Sequence, residues 1–141
     1  MKMSEGPFVA QGEEAIRTDL LEAIPFDYAS GPATEVVYAT DEFTSLCPWT
    51  ALPDFAHLSI KYVPGEKLVE LKSLKLYLVS FRNVGILQEH STNRILRDLA
   101  ALLRPRRMEV CALFRERGGI GTEVKVEYDG EKETNGNEDR H

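Results

Sequence analysis

The segment DEFTSLCPWTALPDF, residues 41–55, joins two strand-like runs, and the rest of the chain is arranged around it. Pro48 and Pro53 bracket its middle, and each proline fixes its own φ and pushes the preceding residue towards extended geometry. We therefore expect Cys47 to lie in a stiff, non-helical loop, with the carboxylate of Asp54 close by. A cysteine near apolar residues is more often a small buried hydrophobic residue than a nucleophile, so these residues alone leave both roles open.

The composition is that of an ordinary soluble globular protein. With 141 residues, 43% of them hydrophobic and 28% charged, the chain has the size and balance of one domain. Its net charge of -6 argues against a general nucleic-acid or membrane-surface role, because phosphate groups attract basic surfaces. No apolar stretch approaches a membrane span, and residues 1–20 lack the apolar centre of a signal peptide. We expect a cytoplasmic protein with neither nucleic acid nor membrane as a partner.

The cysteines and histidines do not form a metal-binding pattern. Cys47 and Cys111 have neither a metal-type spacing nor a disulfide framework, which fits a reducing cytoplasm that would keep Cys47 a free thiol. His57 falls on the outward face of a predicted strand, with no second ligand nearby. The sequence therefore predicts no metal site.

The periodicity of apolar residues predicts the order strand, strand, helix, helix, strand, strand. The predicted strands are residues 35–43, 56–62, 108–114 and 122–128. The first predicted helix covers residues 67–81, and the second is capped by Ser91 or Thr92 and closed by Pro105. A hairpin at residues 117–119 supplies glycines for positive φ between the last two strands. This order predicts an α+β fold, a four-stranded antiparallel sheet with both helices on one face.

Two segments flank this predicted domain of residues 35–128. Residues 1–34 are interpreted as an N-terminal arm that lies over the domain or a neighbouring subunit. A short helix over Glu13–Ala23 is predicted within it, before Pro25, Gly31 and Pro32 break regularity. Residues 129–141 are polar and lack an apolar face, so we expect them to be disordered.

Four motifs carry a resemblance to a known family. They are EFTSLCPWTALPDFA at residues 42–56, VELKSLKLYLVSFRN at residues 69–83, Gln88-Glu89 followed by Asn93 and Ile95, and Arg117-Gly118-Gly119-Ile120. Taken together, in this order and at this spacing, they resemble the nitrile reductase family of queuosine biosynthesis, QueF, in its short single-domain form. The resemblance implies an NADPH-dependent 7-cyano-7-deazaguanine reductase.

The resemblance also implies an architecture and an assembly. QueF proteins have the tunnelling fold, or T-fold, whose domains assemble side by side so that their sheets join into a barrel. Active sites in the family form where subunits meet. The short form is usually a decamer of two stacked pentamers, so we expect a homo-oligomer with a small-molecule deazapurine substrate.

The resemblance assigns the two catalytic residues. Cys47 matches the family's nucleophile, and a soft thiolate can add to a nitrile carbon to give a thioimide. Asp54 matches the family's proton donor, which would protonate the nitrile nitrogen as charge develops on it. Apolar neighbours such as Trp49 and Phe55, together with the adjacent thiolate, would favour the protonated carboxyl.

The same alignment assigns the binding residues. Substrate contacts fall on Val69, Glu70, Leu71, Gln88 and Glu89, and cofactor contacts fall on Leu71, Lys72, Arg117 and Gly118. Glu89 matches the glutamate that accepts two hydrogen bonds from the base edge. From the residues alone, Lys72 is also typical of a solvated basic face, and Glu89 of an acidic residue just before a helix N-terminus. No GxGxxG follows a strand, so no Rossmann site is expected.

Three departures from the family pattern concern substrate positioning, and two other functions compete. Gln88 stands where the family usually has His, Ala51-Leu52 replaces a usual Gly-Gln, and Trp49 replaces a smaller residue.

The first alternative is a non-catalytic purine- or pterin-binding T-fold protein. The second is a zinc-dependent cyclohydrolase of the same fold, which is disfavoured because the three histidines lack ligand spacing.

Overall fold

The computed structural model describes residues 6–132, and its centre is a four-stranded antiparallel sheet beside two helices. The strands are β1 (Ala23–Pro25), β2 (Val36–Leu46), β3 (Pro53–Val63), β4 (Lys67–Val69), β5 (Arg107–Arg117) and β6 (Ile120–Asp129). The helices are α1 (Leu71–Val79) and α2 (Gln88–Leu103). The main sheet has the order β2-β3-β5-β6, and β1 pairs with β4 in a separate two-stranded sheet. The predicted α+β fold and the order of its main elements are confirmed.

The hydrophobic core lies between the main sheet and the two helices. Along β3 the residues with even numbers from Ala56 to Tyr62 are buried and those between them are more exposed, as a half-buried strand requires. Tyr77 and Leu99 meet this face from the helices and are fully buried. Burying each such large side chain contributes about 1.5 to 3 kcal/mol.

The strands are longer than the sequence pattern indicates. β2 continues to Leu46 and β3 begins at Pro53, so the predicted loop shortens to residues 47–52. The disorder predicted for residues 129–141 is not found at residues 129–132, where β6 ends at Asp129 and a helical turn follows, and residues 133–141 lie outside the described part of the chain. Within residues 6–132, no helix is long and apolar enough to cross a membrane.

The predicted helix over residues 67–81 is wrong at both ends. Residues 67–69 form β4 instead, because their extended backbone pairs with β1. Glu70 then caps α1 by accepting hydrogen bonds from the backbone N–H groups of Lys72 and Ser73. The regular helix ends at Val79, and tighter turns carry the chain through Phe81.

The second helix starts earlier than its expected caps. It begins at Gln88, and the hydroxyls of Ser91 and Thr92 donate back to the Gln88 carbonyl at 3.0 Å each. These hydroxyls satisfy a helix carbonyl rather than orphan N–H groups, a common use of Ser and Thr inside a helix. The helix ends at Leu103, before Pro105 as predicted, and Arg104 adopts a left-handed backbone.

The predicted helix over Glu13–Ala23 is also wrong. The structure has two single 3-10 turns there, and the polar groups of the segment bond to α1 and α2 instead. The Arg17 N–H donates to the Ser80 hydroxyl, and the Thr18 hydroxyl donates to Asp98. Helices of this length are marginal in water, so these long-range bonds decide the conformation.

Candidate active site

Cys47 lies at the start of a tight turn between β2 and β3. The Ala51 N–H donates to the Cys47 carbonyl at 2.8 Å, and the Cys47 N–H donates to the Leu52 carbonyl at 2.8 Å. Ala51 closes the turn with a φ of 58°, a left-handed conformation that is uncommon outside glycine. The predicted stiff, non-helical surroundings of Cys47 are therefore found, in a turn that runs from residue 47 to residue 52.

The turn also acts on the Cys47 thiol. Burial by itself raises the pKa of Cys47, but hydrogen bonds from the Thr50 hydroxyl and from the backbone N–H groups of Thr50 and Trp49 outweigh it. The net result is a pKa below the ordinary value for cysteine, despite the opposing charge of Asp54. A lowered pKa increases the fraction of thiolate, which is the nucleophilic form.

Asp54 is buried beside this turn and paired with Arg117. Its Oδ1 lies 2.6 Å from the Arg117 Nε, and the Arg117 guanidinium also donates to the Pro53 carbonyl. Burial raises the pKa of Asp54 above its ordinary value, while Arg117 and a hydrogen bond from Gln88 oppose that rise. Phe55 contributes little to this burial, because it lies on the opposite strand face beneath Arg115.

The start of α2 reaches the same end of the sheet through backbone pairing. The Leu46 N–H donates to the Val84 carbonyl, and the Ile86 N–H donates to the Leu46 carbonyl. This pairing fixes residues 84–86 next to the end of β2, immediately before Cys47. Gln88 therefore lies beside Asp54, as its effect on the pKa of that carboxyl shows.

Glu89 follows Gln88 in the first turn of α2, so the expectation that it precedes the helix is wrong by one turn. Its side chain is exposed, and within residues 6–132 its carboxylate makes no hydrogen bond or ion pair. Its backbone carbonyl accepts a bond from the Asn93 side chain at 2.8 Å. The carboxylate is thus free to accept hydrogen bonds from a ligand.

The predicted binding residues 69–72 lie at the other end of the sheet. The Val69 N–H donates to the Tyr62 hydroxyl at 3.2 Å. Asp54 and Tyr62 are eight residues apart on β3, which at about 3.4 Å per residue places them about 27 Å apart. A single chain therefore does not bring residues 69–72 and Cys47 into one pocket of the size of a bicyclic base.

Within this second group, the side chains differ in what they offer a ligand. The Glu70 carboxylate is engaged as the cap of α1, and the backbone N–H of Ser73 is the main reason that its pKa is lowered. Val69 is buried, whereas Leu71 and Lys72 are exposed at the start of the helix. Lys72 can therefore reach an anion, while Val69 can offer only backbone atoms.

Two polar residues of the site were not singled out by the sequence analysis. Thr50 stands three residues after Cys47, the spacing at which a turn brings a hydroxyl back to the first side chain. Ser45 is the direct cross-strand partner of Asp54, and it is fully buried. The two-residue period of β2 could have placed Ser45 on the core face, but its register with Asp54 depends on the sheet.

The residues that are present suit nucleophilic and proton-transfer chemistry. A thiol with a lowered pKa beside a buried carboxyl can attack an electrophilic carbon and deliver a proton to the adjoining atom. Among residues 6–132, no group of three or more His, Cys, Asp or Glu side chains is placed to hold a metal ion.

The fold and this pair of groups define a T-fold protein with a thiol and a carboxyl at one end of its sheet. A crystal structure of the archaeosine synthase QueF-Like in the apo form superposes with a TM-score of 0.63 and 25% identity, covering 71% of this chain and 96% of that one. A family model described as QueF-like protein matches residues 53–133. The chain belongs to the QueF family.

Bacterial relatives match almost the whole chain. An NADPH-dependent 7-cyano-7-deazaguanine reductase of Caldicellulosiruptor bescii is 57% identical over 128 residues, which is 91% of this chain and 97% of the relative. The protein of the same description from Thermoanaerobacter pseudethanolicus is 54% identical over 131 residues, which is 93% and 98% of the two chains.

Proposed function

We propose that this protein reduces the nitrile of 7-cyano-7-deazaguanine to a primary amine with NADPH, in queuosine biosynthesis. The observation that carries the proposal is the turn that holds the Cys47 thiol beside the buried Asp54, with hydrogen bonds that lower the pKa of the thiol. The relatives' shared description as NADPH-dependent 7-cyano-7-deazaguanine reductases supports this substrate and cofactor. The protein is thus an NADPH-dependent nitrile oxidoreductase, and its metabolic role supports a cytoplasmic location.

Cys47 and Asp54 have complementary roles in the first step. The Cys47 thiolate adds to the nitrile carbon, forming a C–S bond as one π bond of the nitrile breaks. The electron pair of that bond moves to nitrogen, which takes a proton from Asp54, and a thioimide results. With NADPH bound, a first hydride would add to the thioimide carbon while nitrogen takes up a second proton. The C–S bond would then break to return the Cys47 thiolate and leave an iminium, which a second hydride would reduce to the amine.

The cofactor site would combine cations with accessible backbone. NADPH supplies hydride when bound, and its phosphates suit the guanidinium of Arg117 and the ammonium of Lys72. Gly118 has a φ of 58°, and a Cβ placed on it would meet no atom within 4 Å, so its backbone is open to a close approach. Leu71 adds an exposed apolar surface next to Lys72.

A direct assay tests the proposed function. The protein is mixed with the nitrile and NADPH, and the nicotinamide absorbance is followed while the amine is identified by mass spectrometry. We expect two NADPH consumed per amine formed, with NADH a much poorer donor. A protein that binds the nitrile without consuming NADPH would instead be the non-catalytic purine-binding relative.

Glu89 should anchor the base. Replacing Glu89 by Leu leaves the donor edge of the base unpaired in its pocket, which costs about 1 to 3 kcal/mol of binding free energy. In a Cys47→Ala background, where binding is non-covalent, calorimetry should show nitrile affinity weakened by roughly 5- to 150-fold. His90→Leu, at the next exposed position of α2, is the matched control. Equal affinities for the two variants would leave Glu89 as a helix-entry residue only.

The assembly proposed for this chain is a homo-oligomer in which two copies complete each site. The separation of residues 69–72 from Cys47 supports it, because a second copy can bring the two groups together. The sheet ends in two long edges, β2 and β6, which natural proteins usually pair or cover. A groove of about 580 Å³ between α1 and β2, lined mainly by apolar side chains, lies along the first edge. The family's decamer of two pentamers is the arrangement we propose.

A complementation experiment tests the shared site. Cys47→Ala and Lys72→Glu variants should each be nearly inactive alone. Co-expressed with different tags and purified as mixed oligomers, they should regain activity, because about a quarter of the interfaces pair an intact Cys47 with an intact Lys72. Mixed oligomers that are verified by native mass spectrometry but remain inactive would show that each copy carries its own complete site.

A further inference from the structure

Asp54 is paired with Arg117 and lies across the sheet from Ser45. On one side the Arg117 Nε lies 2.6 Å from Oδ1, and the Arg117 side chain is 41% exposed against 6% for Asp54. On the other side, Ser45 on β2 is in direct register with Asp54 on β3. Cross-strand partners have Cβ atoms about 4.5 to 5.5 Å apart, so a change of rotamer can join the Ser45 hydroxyl to the Asp54 carboxyl.

The Ser45 hydroxyl is the second observation. It is fully buried, and within residues 6–132 it has no hydrogen-bond partner. An unpaired buried hydroxyl costs about 1 to 3 kcal/mol, so native proteins seldom keep one without a use. A second orientation of the Asp54 carboxyl, turned from Arg117 towards Ser45, would give this hydroxyl a partner.

We propose that Arg117 favours the ionised form of Asp54 in the resting enzyme, and that a phosphate of the bound dinucleotide draws the guanidinium away. The protonated form of Asp54 is then favoured, and Ser45 holds it with its O–H facing the nitrile nitrogen. This inference rests on the proposed function, because it takes Arg117 as a phosphate ligand. It makes Arg117 and Ser45 positioning residues for the acid.

The exchange of partners is favoured by exposure and geometry. A guanidinium can bind two phosphate oxygens at once, as it binds the two oxygens of a carboxylate. A phosphate can carry more negative charge than a carboxylate does. Arg117 stands at the end of β5, before a turn in which Gly118 and Gly119 both have positive φ, and a register shift precedes it. The guanidinium can therefore follow a ligand outwards, whereas the buried carboxyl cannot.

The charges that face Asp54 determine whether it binds a proton once the guanidinium has moved. Burial raises the pKa of Asp54, and Arg117 is the first of the groups that oppose this rise, followed by the Gln88 side chain. The thiolate of Cys47 is a like charge on the turn beside it. Without Arg117, burial and the thiolate both disfavour the carboxylate, so the equilibrium shifts towards the protonated carboxyl. The Ser45 hydroxyl can then donate to its carbonyl oxygen.

The test measures how fast the covalent adduct forms at different pH values, by intact-mass spectrometry with the nitrile and no reductant. The rate should fall at high pH as Asp54 loses its proton. This fall is the descending limb of the plot of adduct rate against pH. Adding NADP⁺, which cannot deliver hydride, should move the descending limb to higher pH. At a pH on the limb, the native adduct should form several-fold faster with NADP⁺ than without it.

Three variants assign that shift. Arg117→Gln should place the descending limb at higher pH without NADP⁺ and remove the response to NADP⁺, and Arg117→Lys should lie between it and the native protein. Arg115→Gln, on the same strand over Phe55, is the control and should respond as the native protein does. Ser45→Ala should melt no lower than native, because it removes an unpaired buried hydroxyl, yet form the adduct several-fold more slowly.

The outcomes separate this inference from the proposed function. No adduct at any pH in the native protein would remove the proposed function itself. The role of Arg117 would be overturned if NADP⁺ did not move the descending limb of the native pH–rate plot. It would also be overturned if NADP⁺ still moved that limb in Arg117→Gln. A native adduct rate in Ser45→Ala would overturn the role of Ser45.

Discussion

Cys47→Ala is expected to abolish both the covalent adduct and turnover. The C–S bond has no other partner at this end of the sheet, because Cys111 lies on β5 and burial raises the pKa of its thiol. Intact-mass spectrometry after mixing with the nitrile, without NADPH, should show one added substrate mass for the native protein and none for the variant. The fold should be kept, since the two backbone hydrogen bonds that close the turn at Cys47 do not involve its sulfur.

The matched control for this experiment is Cys111→Ala. Cys111 is the other cysteine of the chain, and its thiol lies 3.7 Å from Glu123, which disfavours the thiolate. Cys111→Ala should form the adduct at the native rate and retain turnover. An adduct that persists in Cys47→Ala, or that maps to Cys111 by peptide digestion, would show that the nucleophile is wrongly assigned.

The main sheet and its helices could be predicted because their apolar residues follow one period each. The alternation of buried and exposed residues on β3 and the helical spacing of buried residues on α2 are found in the structure, because each element faces a single core. Two of the errors in helix position have another cause. Residues 67–69 and 13–23 are decided by partners far away in sequence, namely β1 for the first and the two helices for the second. Contacts with distant residues produce no periodic pattern in the sequence.

In the candidate site, too, some features could be predicted from the sequence and others depend on contacts between distant residues. The Cys47 turn could be predicted from its prolines, and the burial of Asp54 follows from the even-numbered face of β3. The pairing of Asp54 with Arg117 could not, because it joins two residues that are far apart in sequence and depends on a register shift between Phe114 and Arg117. The placement of residues 69–72 at the far end of the sheet also required the strand geometry. The residues that the family resemblance assigns to one site therefore lie at two ends of the sheet in one subunit.

Asp54→Asn is expected to be nearly inactive for a different reason from Cys47→Ala. Asparagine can donate a hydrogen bond to the nitrile nitrogen but cannot give up a proton to it. General acid catalysis typically contributes about 100- to 10,000-fold, so adduct formation should slow by that order. The Cys47 thiol should remain reactive or become more so, because the charge of Asp54 raises the pKa of Cys47 and the substitution removes it. Alkylation of Cys47 by iodoacetamide at several pH values measures this.

Thermal melting at several pH values tests whether the loss is caused by unfolding. A carboxyl whose pKa is raised in the folded state stabilises the protein fully below its unfolded value, and this contribution is lost as the pH rises through the raised value. Asparagine has no such loss, so Asp54→Asn should melt at or above the native temperature near neutral pH. Asp41→Asn, an exposed position paired with His57, is the control and should keep the native adduct rate. A native rate in Asp54→Asn itself would mean that the proton reaches the nitrile nitrogen from another group.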